Sequence, residues 1–163
     1  MLSQTLAHMF PGIDLERECV LENGDDGPRI AQWHRSEPQP TSKQIEAAAH
    51  PAALALVTQR IKTDRDRRKL AGTPVGANIF HSDPDSRIQQ IGLVMMGAAL
   101  PAGIMWKTVG GDFVEMTPVL AGQIFQATAA RDVALFAAAE AHIAAAAASD
   151  DPLAYDFSAG WPA

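Results

Sequence analysis

One stretch constrains this chain more than any other, the alanine-rich run from Thr117 to Ala148. Thr117 supplies a cap, Pro118 suits a first helical position, and no later proline interrupts the run. Leu120, Ile124, Ala127, Leu135, Ala139 and Ile143 lay an apolar stripe along it, so the spacing predicts one long helix. A second helical stretch precedes it. Pro38 and Pro40 enforce an extended linker to Thr41, after which Thr41 or Ser42 caps a helix, with Glu46 near the capping-box position. Pro51, following His50, is expected to end that short piece and open the next helix. From there Leu54, Val57, Ile61 and the stems of Arg65 and Arg68 recur at helical spacing until Ala71-Gly72 stops the run. Thirty alanines against 6% aromatics favour helices with thin cores over a large aromatic sandwich.

The remaining segments read as short strands and one further helix. From Met1 to Thr41 the sequence is β-like, with runs at 19–22 and 29–33 around the turn cluster Asn23-Gly24-Asp25-Asp26-Gly27-Pro28. Alternation in the second run places Ile30 with Gln32 and Ala31 with Trp33. Val75 to His81 is expected as a strand. Ser82 or Asp83 then caps a helix to about Leu100, with Ile88, Ile91, Met95 and Ala99 on its apolar face. The runs 104–108 and 113–116 flank Val109-Gly110-Gly111-Asp112 and predict a second hairpin. The expected fold is α+β: an N-terminal β-hairpin module, then α-β-α-β-β-α with two long antiparallel helices and a small sheet at one end. The boundaries fall at 1–41 (hairpin and Pro-rich linker), 42–148 (helical α+β domain) and 149–163 (aromatic tail).

Charge and residue chemistry narrow the function. Net charge is −6, yet residues 43–107 carry nine bases and five acids, most of the bases within 60–69. The acidic remainder of the chain and the lack of interleaved aromatics argue against nucleic acid. Within that run Arg65 and Arg68, with Arg87 beyond it, either decorate a solvated helix end, tie helix ends together through carboxylates, or grip an acidic partner. The longest uncharged run, Ile88 to Trp106, is too broken by Gly and Pro for a membrane span. Met1 to His8 lacks the pattern of a signal peptide, and the single Cys19 leaves no internal disulfide, which together lead us to expect a reducing compartment. His8, His34, His50, His81 and His142 show no metal-ligand spacing, and Asp64/Asp66 and Asp83/Asp85 lack the ligand series of a calcium loop. Ser86 has no nucleophile-elbow glycines, and Gly72 to Gly76 lacks the ending of a phosphate loop. No catalytic residue, metal or cofactor is expected. Tyr155, Phe157 and Trp161 either fold back over the helices or form a docking segment.

Several motifs together carry a resemblance. Arg65-Asp66-Arg67-Arg68, a short strand ending at Phe80, Asp83-x-x-Ser86-Arg87, Trp106-Lys107-Thr108, Phe113-Val114 and Thr117 before an alanine-rich helix follow one another over about residues 55–148. This order resembles a domain family of unknown function common in tailed-phage and prophage genomes. Val75 stands where that family usually has an aromatic, and Gly110-Gly111 replaces its common Asp-Asn turn. Phe10-Pro11-Gly12, Gly27-Pro28, Ile30-Ala31-Gln32-Trp33 and Pro38-Gln39-Pro40-Thr41 are similar to the start of small phage tail proteins, a group that includes tail-fibre assembly proteins.

The resemblance implies a non-catalytic tail protein that binds a tail fibre or another tail or baseplate component and assists its folding or attachment in the host cytoplasm. The alternatives are a permanent part of the virion tail or baseplate and a small enzyme acting on the cell envelope. Arg65, Arg68, Trp33, Tyr155, Phe157 and Trp161 are the candidate partner contacts. Phe80, Asp83, Arg87, Trp106 and Phe113 are the candidate fold determinants. Self-association is open, a threefold complex being the natural form beside a trimeric fibre.

Overall fold

The structure, a computed structural model, describes residues 1–25 and 27–162. The alanine-rich run forms α4 (Pro118–Ala147), and at its start the Leu120 amide donates to Thr117 Oγ1 at 3.1 Å. The other long helix is α2 (Ser42–Leu70). Its cap is a reciprocal box made with Gln44 and not with Glu46. The Thr41 amide donates to Gln44 Oε1 at 2.8 Å and the Gln44 amide to Thr41 Oγ1 at 3.3 Å. The break expected at Pro51 does not occur, because Pro51 lies inside one continuous helix. Ala47 and Pro51 are both exposed, so the carbonyl that loses its partner one turn back is on a side open to water.

Contacts divide the chain into two compact units, Met1–Arg60 with Ile143–Asp156, and Ile61–His142 with the chain from Phe157. The first unit opens on α1 (Leu2–Met9), where a β-like start was expected. Thr5 and Leu6 are buried there, and Thr5 Oγ1 donates to the Met1 carbonyl at 3.1 Å. The hairpin follows as β1 (Cys19–Gly24) and β2 (Gly27–Trp33), in antiparallel register from Cys19–Trp33 to Gly24–Gly27. Asp26 of the turn cluster lies outside the described residues. Simple alternation fails in β2 because Val20 pairs with Gln32 and Leu21 with Ile30, leaving Ala31 as an extra residue. Ile30 and Trp33 are therefore half-buried while Ala31 and Gln32 are exposed. Phe10 meets Trp33 edge-on with centroids 5.2 Å apart, and Trp33 Nε1 donates to the Glu37 carbonyl at 2.6 Å.

In the second unit the single strand expected at 75–81 is a hairpin, β3 (Thr73–Val75) and β4 (Asn78–Phe80), turned through Gly76 and Ala77. Asp83 caps α3 (Pro84–Met96), accepting from the Ser86 amide at 3.0 Å. The helix ends earlier than Leu100, giving way at Gly97 to a 3₁₀ turn. The expected second hairpin is β5 (Met105–Lys107) with β6 (Phe113–Glu115). The strands make three separate two-stranded sheets among the described residues, and the Val109 amide donates to the Ile79 carbonyl at 2.9 Å. Phe80, Leu100, Met116, Ala121 and Ile124 form the buried core of this unit, with Leu93, Val94 and Trp106 packed against it. Arg65 of α2 lies over Phe136 of α4, while the Arg68 carbonyl, further along α2, accepts from Arg131 Nη1 of α4. Rising numbers on one side thus meet falling numbers on the other, so within this unit α2 and α4 run antiparallel.

One expected face is reversed. Ile88, Ile91 and Met95 of α3 are 68%, 45% and 82% exposed, whereas Gln90 is buried and Leu93 and Val94 reach the core. The helix is apolar on both sides, and polar contacts set its rotation. Gln90 Nε2 donates to the His81 carbonyl at 2.8 Å and Arg87 Nε to the Ser82 carbonyl at 2.5 Å, which turns 88, 91 and 95 outward.

Candidate functional site

The basic run at the end of α2 becomes an internal ion-pair lattice within the second unit. Arg67 Nε and Arg68 Nε reach Asp64 at 2.9 and 2.8 Å, and Arg65 Nε and Nη2 reach Asp66 at 2.9 and 3.0 Å. Arg87 of α3 makes a two-point pair with Asp132 of α4, Nη1 to Oδ2 at 2.6 Å and Nη2 to Oδ1 at 3.1 Å. Neighbouring side chains cap the end of α2, whose last carbonyls have no partner inside the helix. Arg131 Nη1 donates to the Arg68 carbonyl at 2.8 Å and Ser82 Oγ to the Lys69 carbonyl at 2.6 Å. Positive side chains at a helix C-terminus also meet the negative end of its dipole.

The carboxylates record this environment. Burial pushes Asp132 up, but the hydrogen bonds and charge of Arg87, with Lys69 and Arg131, outweigh it and hold Asp132 below the ordinary aspartate range. At Asp64 burial likewise opposes, and Arg68 and Arg67 together hold the group low. Asp66 is lowered chiefly by the hydrogen bond from Arg65. Asp83 is lowered by the Ser86 amide and hydroxyl it accepts from.

Of the candidate contacts, Arg65, Arg68, Phe157 and Trp161 fall in this unit, while Trp33 and Tyr155 belong to the other. The Arg65 guanidinium lies 4.3 Å from the Phe136 ring centre and that of Arg68 4.9 Å from Trp161. Trp161 also meets His142 at 5.0 Å between centroids, and its Nε1 donates to the Phe157 carbonyl at 2.7 Å. The terminal tryptophan is therefore folded back, and these arginines and aromatics satisfy one another. Tyr155 is half-buried.

Among the candidate fold determinants, Phe80 is fully buried, Asp83 caps α3, Arg87 holds Asp132, and Trp106 packs on the core. Phe113 differs, being 63% exposed. It faces Lys107 across the β5–β6 pair, diagonal to Met105, which is 53% exposed. Their outer face thus shows two large apolar side chains flanked by Lys107 and Glu115, while Trp106 and Val114 are half-buried on the other side. Ile79 and Val109 lie near each other at the surface, both over Gly72. The sequence reading missed this hairpin face. Its only signal was the alternation Met105, Lys107 against Trp106, which does not say which side is covered.

A groove of about 190 Å³ between α3 and α4 is lined by Arg87, Gln90, Ile91, Phe125, Thr128 and Asp132. Among the described residues no group of three His, Cys, Asp or Glu is placed to hold a metal ion, and no helix is long and apolar enough to cross a membrane. Burial raises the Cys19 thiol above its ordinary value, away from the reactive thiolate.

The front of the chain, residues 2–55, matches the XkdW protein family. Residues 52–159 match a second family described as a domain of unknown function, DUF4376. No curated protein and no solved structure matches the chain. Both families are phage-associated, which agrees with the resemblance read from residues 55–148 and extends it into the aromatic tail. With more than half of its length matched, this phage-related chain belongs to the DUF4376 domain family.

Proposed function

We propose that the chain is a non-catalytic phage tail protein that binds another tail component, a tail fibre first of all, and assists its folding or attachment. The observation that carries this reading is the outer face of β5–β6, where Met105 and Phe113 stand exposed beside Lys107 and Glu115. Large apolar side chains left in water beside charged ones are the usual composition of a transient protein-binding patch. Arg65, Arg68 and Trp161 have partners within their own unit, so the reading places the binding contacts on the hairpin. The chain acts stoichiometrically: it covers apolar fibre surface and releases it by exchange. A specific complex of this kind needs about 800 Å² from each partner.

The test is co-expression with a tail-fibre protein of the same phage genome, followed by size-exclusion chromatography with light scattering. A mixed peak of fixed stoichiometry that Phe113→Asp abolishes, while Arg65→Ala leaves it intact, is the expected result. A fibre that elutes alone, with no gain in its soluble yield, overturns the reading. Mass spectrometry of purified particles then separates an assembly factor, absent from them, from a permanent tail component.

A further inference from the structure

The exposed stripe of α3 calls for a different occupant. Ile88, Ile91, Met95 and Met96, with Phe125 beside Ile91 across the groove, are 44–82% exposed. Taking about 200 Å² for each large apolar side chain, they present roughly 570 Å². That is most of the ~800 Å² per partner that a stable interface buries. In the middle of the stripe sits Gly92, exposed, and beyond its chain neighbours and its own helix backbone no atom lies within 4 Å of where a Cβ would stand. A mid-helix glycine costs about 1 kcal/mol relative to alanine, and nothing within the molecule occupies the space that it leaves open. Its backbone is free to take a second helix at close range.

Charge selects the partner. The chain carries −6 overall, so most of its surface repels a second copy. The run Ile88 to Trp106 contains no charged residue, and the charges that line the groove beside Ile91 and Phe125, Arg87 and Asp132, pair with each other, so the stripe meets its own copy with no uncompensated like-charge pair. The β5–β6 face, with Lys107 and Glu115 on it, lacks that property. We propose that α3 packs against α3 of a second copy across a twofold axis, with Gly92 at the crossing and Ile88, Ile91 and Met95 around it. Such an interface uses the same patch on both chains and closes on itself. The proposal does not depend on the tail-fibre reading.

Light scattering or sedimentation on the chain alone, across a hundredfold range of concentration, tests it. The expected particle contains two 17.4 kDa chains. Met95→Glu, which places two like charges in the interface, is expected to give single chains with an unchanged circular dichroism spectrum. Gly92→Leu is expected to weaken the dimer by at least about tenfold, although a Cβ at that position meets no other element of its own molecule. Phe113→Asp, on the hairpin, is expected to leave the mass unaltered. Three results overturn the proposal: a wild-type mass of one chain at every concentration, a mass of three chains, or a dimer that survives Met95→Glu and Gly92→Leu unchanged. Loss of fibre binding with the dimer intact, or the reverse, separates this proposal from the functional one.

Discussion

Arg87 and Asp132 are 45 residues apart in the chain and meet through two parallel hydrogen bonds, joining the first turn of α3 to the middle of α4. Both are about three-quarters buried, and Arg87 also donates to the Ser82 and Lys69 carbonyls. Arg87→Ala strips Asp132 of its main partner and removes the donor that Arg87 gives the Ser82 carbonyl, and it is expected to cost about 2–3 kcal/mol in urea unfolding. Arg87→Lys restores charge without the two-point geometry and should recover under half of that loss. A double-mutant cycle with Asp132→Ala should give a coupling of about 1–3 kcal/mol.

Acid should unfold this protein through the same carboxylates. Asp132, Asp64, Asp66 and Asp83 titrate lower in the folded chain than in the unfolded one. Their stabilisation is fully present above the unfolded aspartate value of about 3.9, and it is lost as pH falls through the lower folded values. Stability against urea is expected to stay level from neutrality to about pH 5 and then to drop. Asp132→Asn should be less stable at neutral pH and should lose less on acidification, because one of the coupled groups no longer titrates. A wild-type curve that stays level to pH 2 contradicts this account.

Gly72 ends α2 with φ +102°, and a Cβ there would stand 2.5 Å from Ile79 Cγ2 and 3.1 Å from the Phe80 carbonyl. Gly72→Ala therefore meets both a disfavoured backbone region and a crowded wall, and should cost about 1–3 kcal/mol. Thermal melting of this variant beside wild type measures it.

Trp161 bears on the second unit through three contacts: the Arg68 guanidinium, the His142 ring and the Phe157 carbonyl. Trp161→Ala is expected to lower stability by about 1–2 kcal/mol. Trp161→Phe keeps a ring over Arg68 but lacks the N–H, and should fall between the two. If Trp161 instead served only as an outward contact, neither change would move the unfolding midpoint.

Periodicity and punctuation made much of this fold legible. Thr117-Pro118 and the stripe through Ile124, Leu135 and Ala139 define α4, and Asp83-Pro84 defines the start of α3. The glycine turns at 110–111 and around 24–27 mark two hairpins. What escaped depends on tertiary contacts. The rotation of α3 could not be read because the helix is apolar on both sides and the contacts that decide it, Gln90 to His81 and Arg87 to Asp132, are not periodic. The bulge at Ala31 is a pairing event with no signal of its own. The candidate site was half legible. The arginine run announces ion pairs, but only the fold supplies Asp132 as a partner and leaves Phe113 in water.

Pro51 separates the sequence reading from the structure most sharply. As the first residue of a helix it would cost nothing, since its missing N–H would have had no partner there. Inside α2 it removes the bond to the Ala47 carbonyl and crowds that turn, an effect of about 3 kcal/mol in a helix interior. The residue is exposed, so replacing it loses no packing. Pro51→Ala gives the unfolded chain more freedom, which opposes the gain by about 0.4–1 kcal/mol. A net stabilisation of about 2–2.5 kcal/mol is therefore expected, with a rise in the unfolding midpoint and in helical circular dichroism. No gain, or a loss, would mean that α2 is two helices meeting at His50.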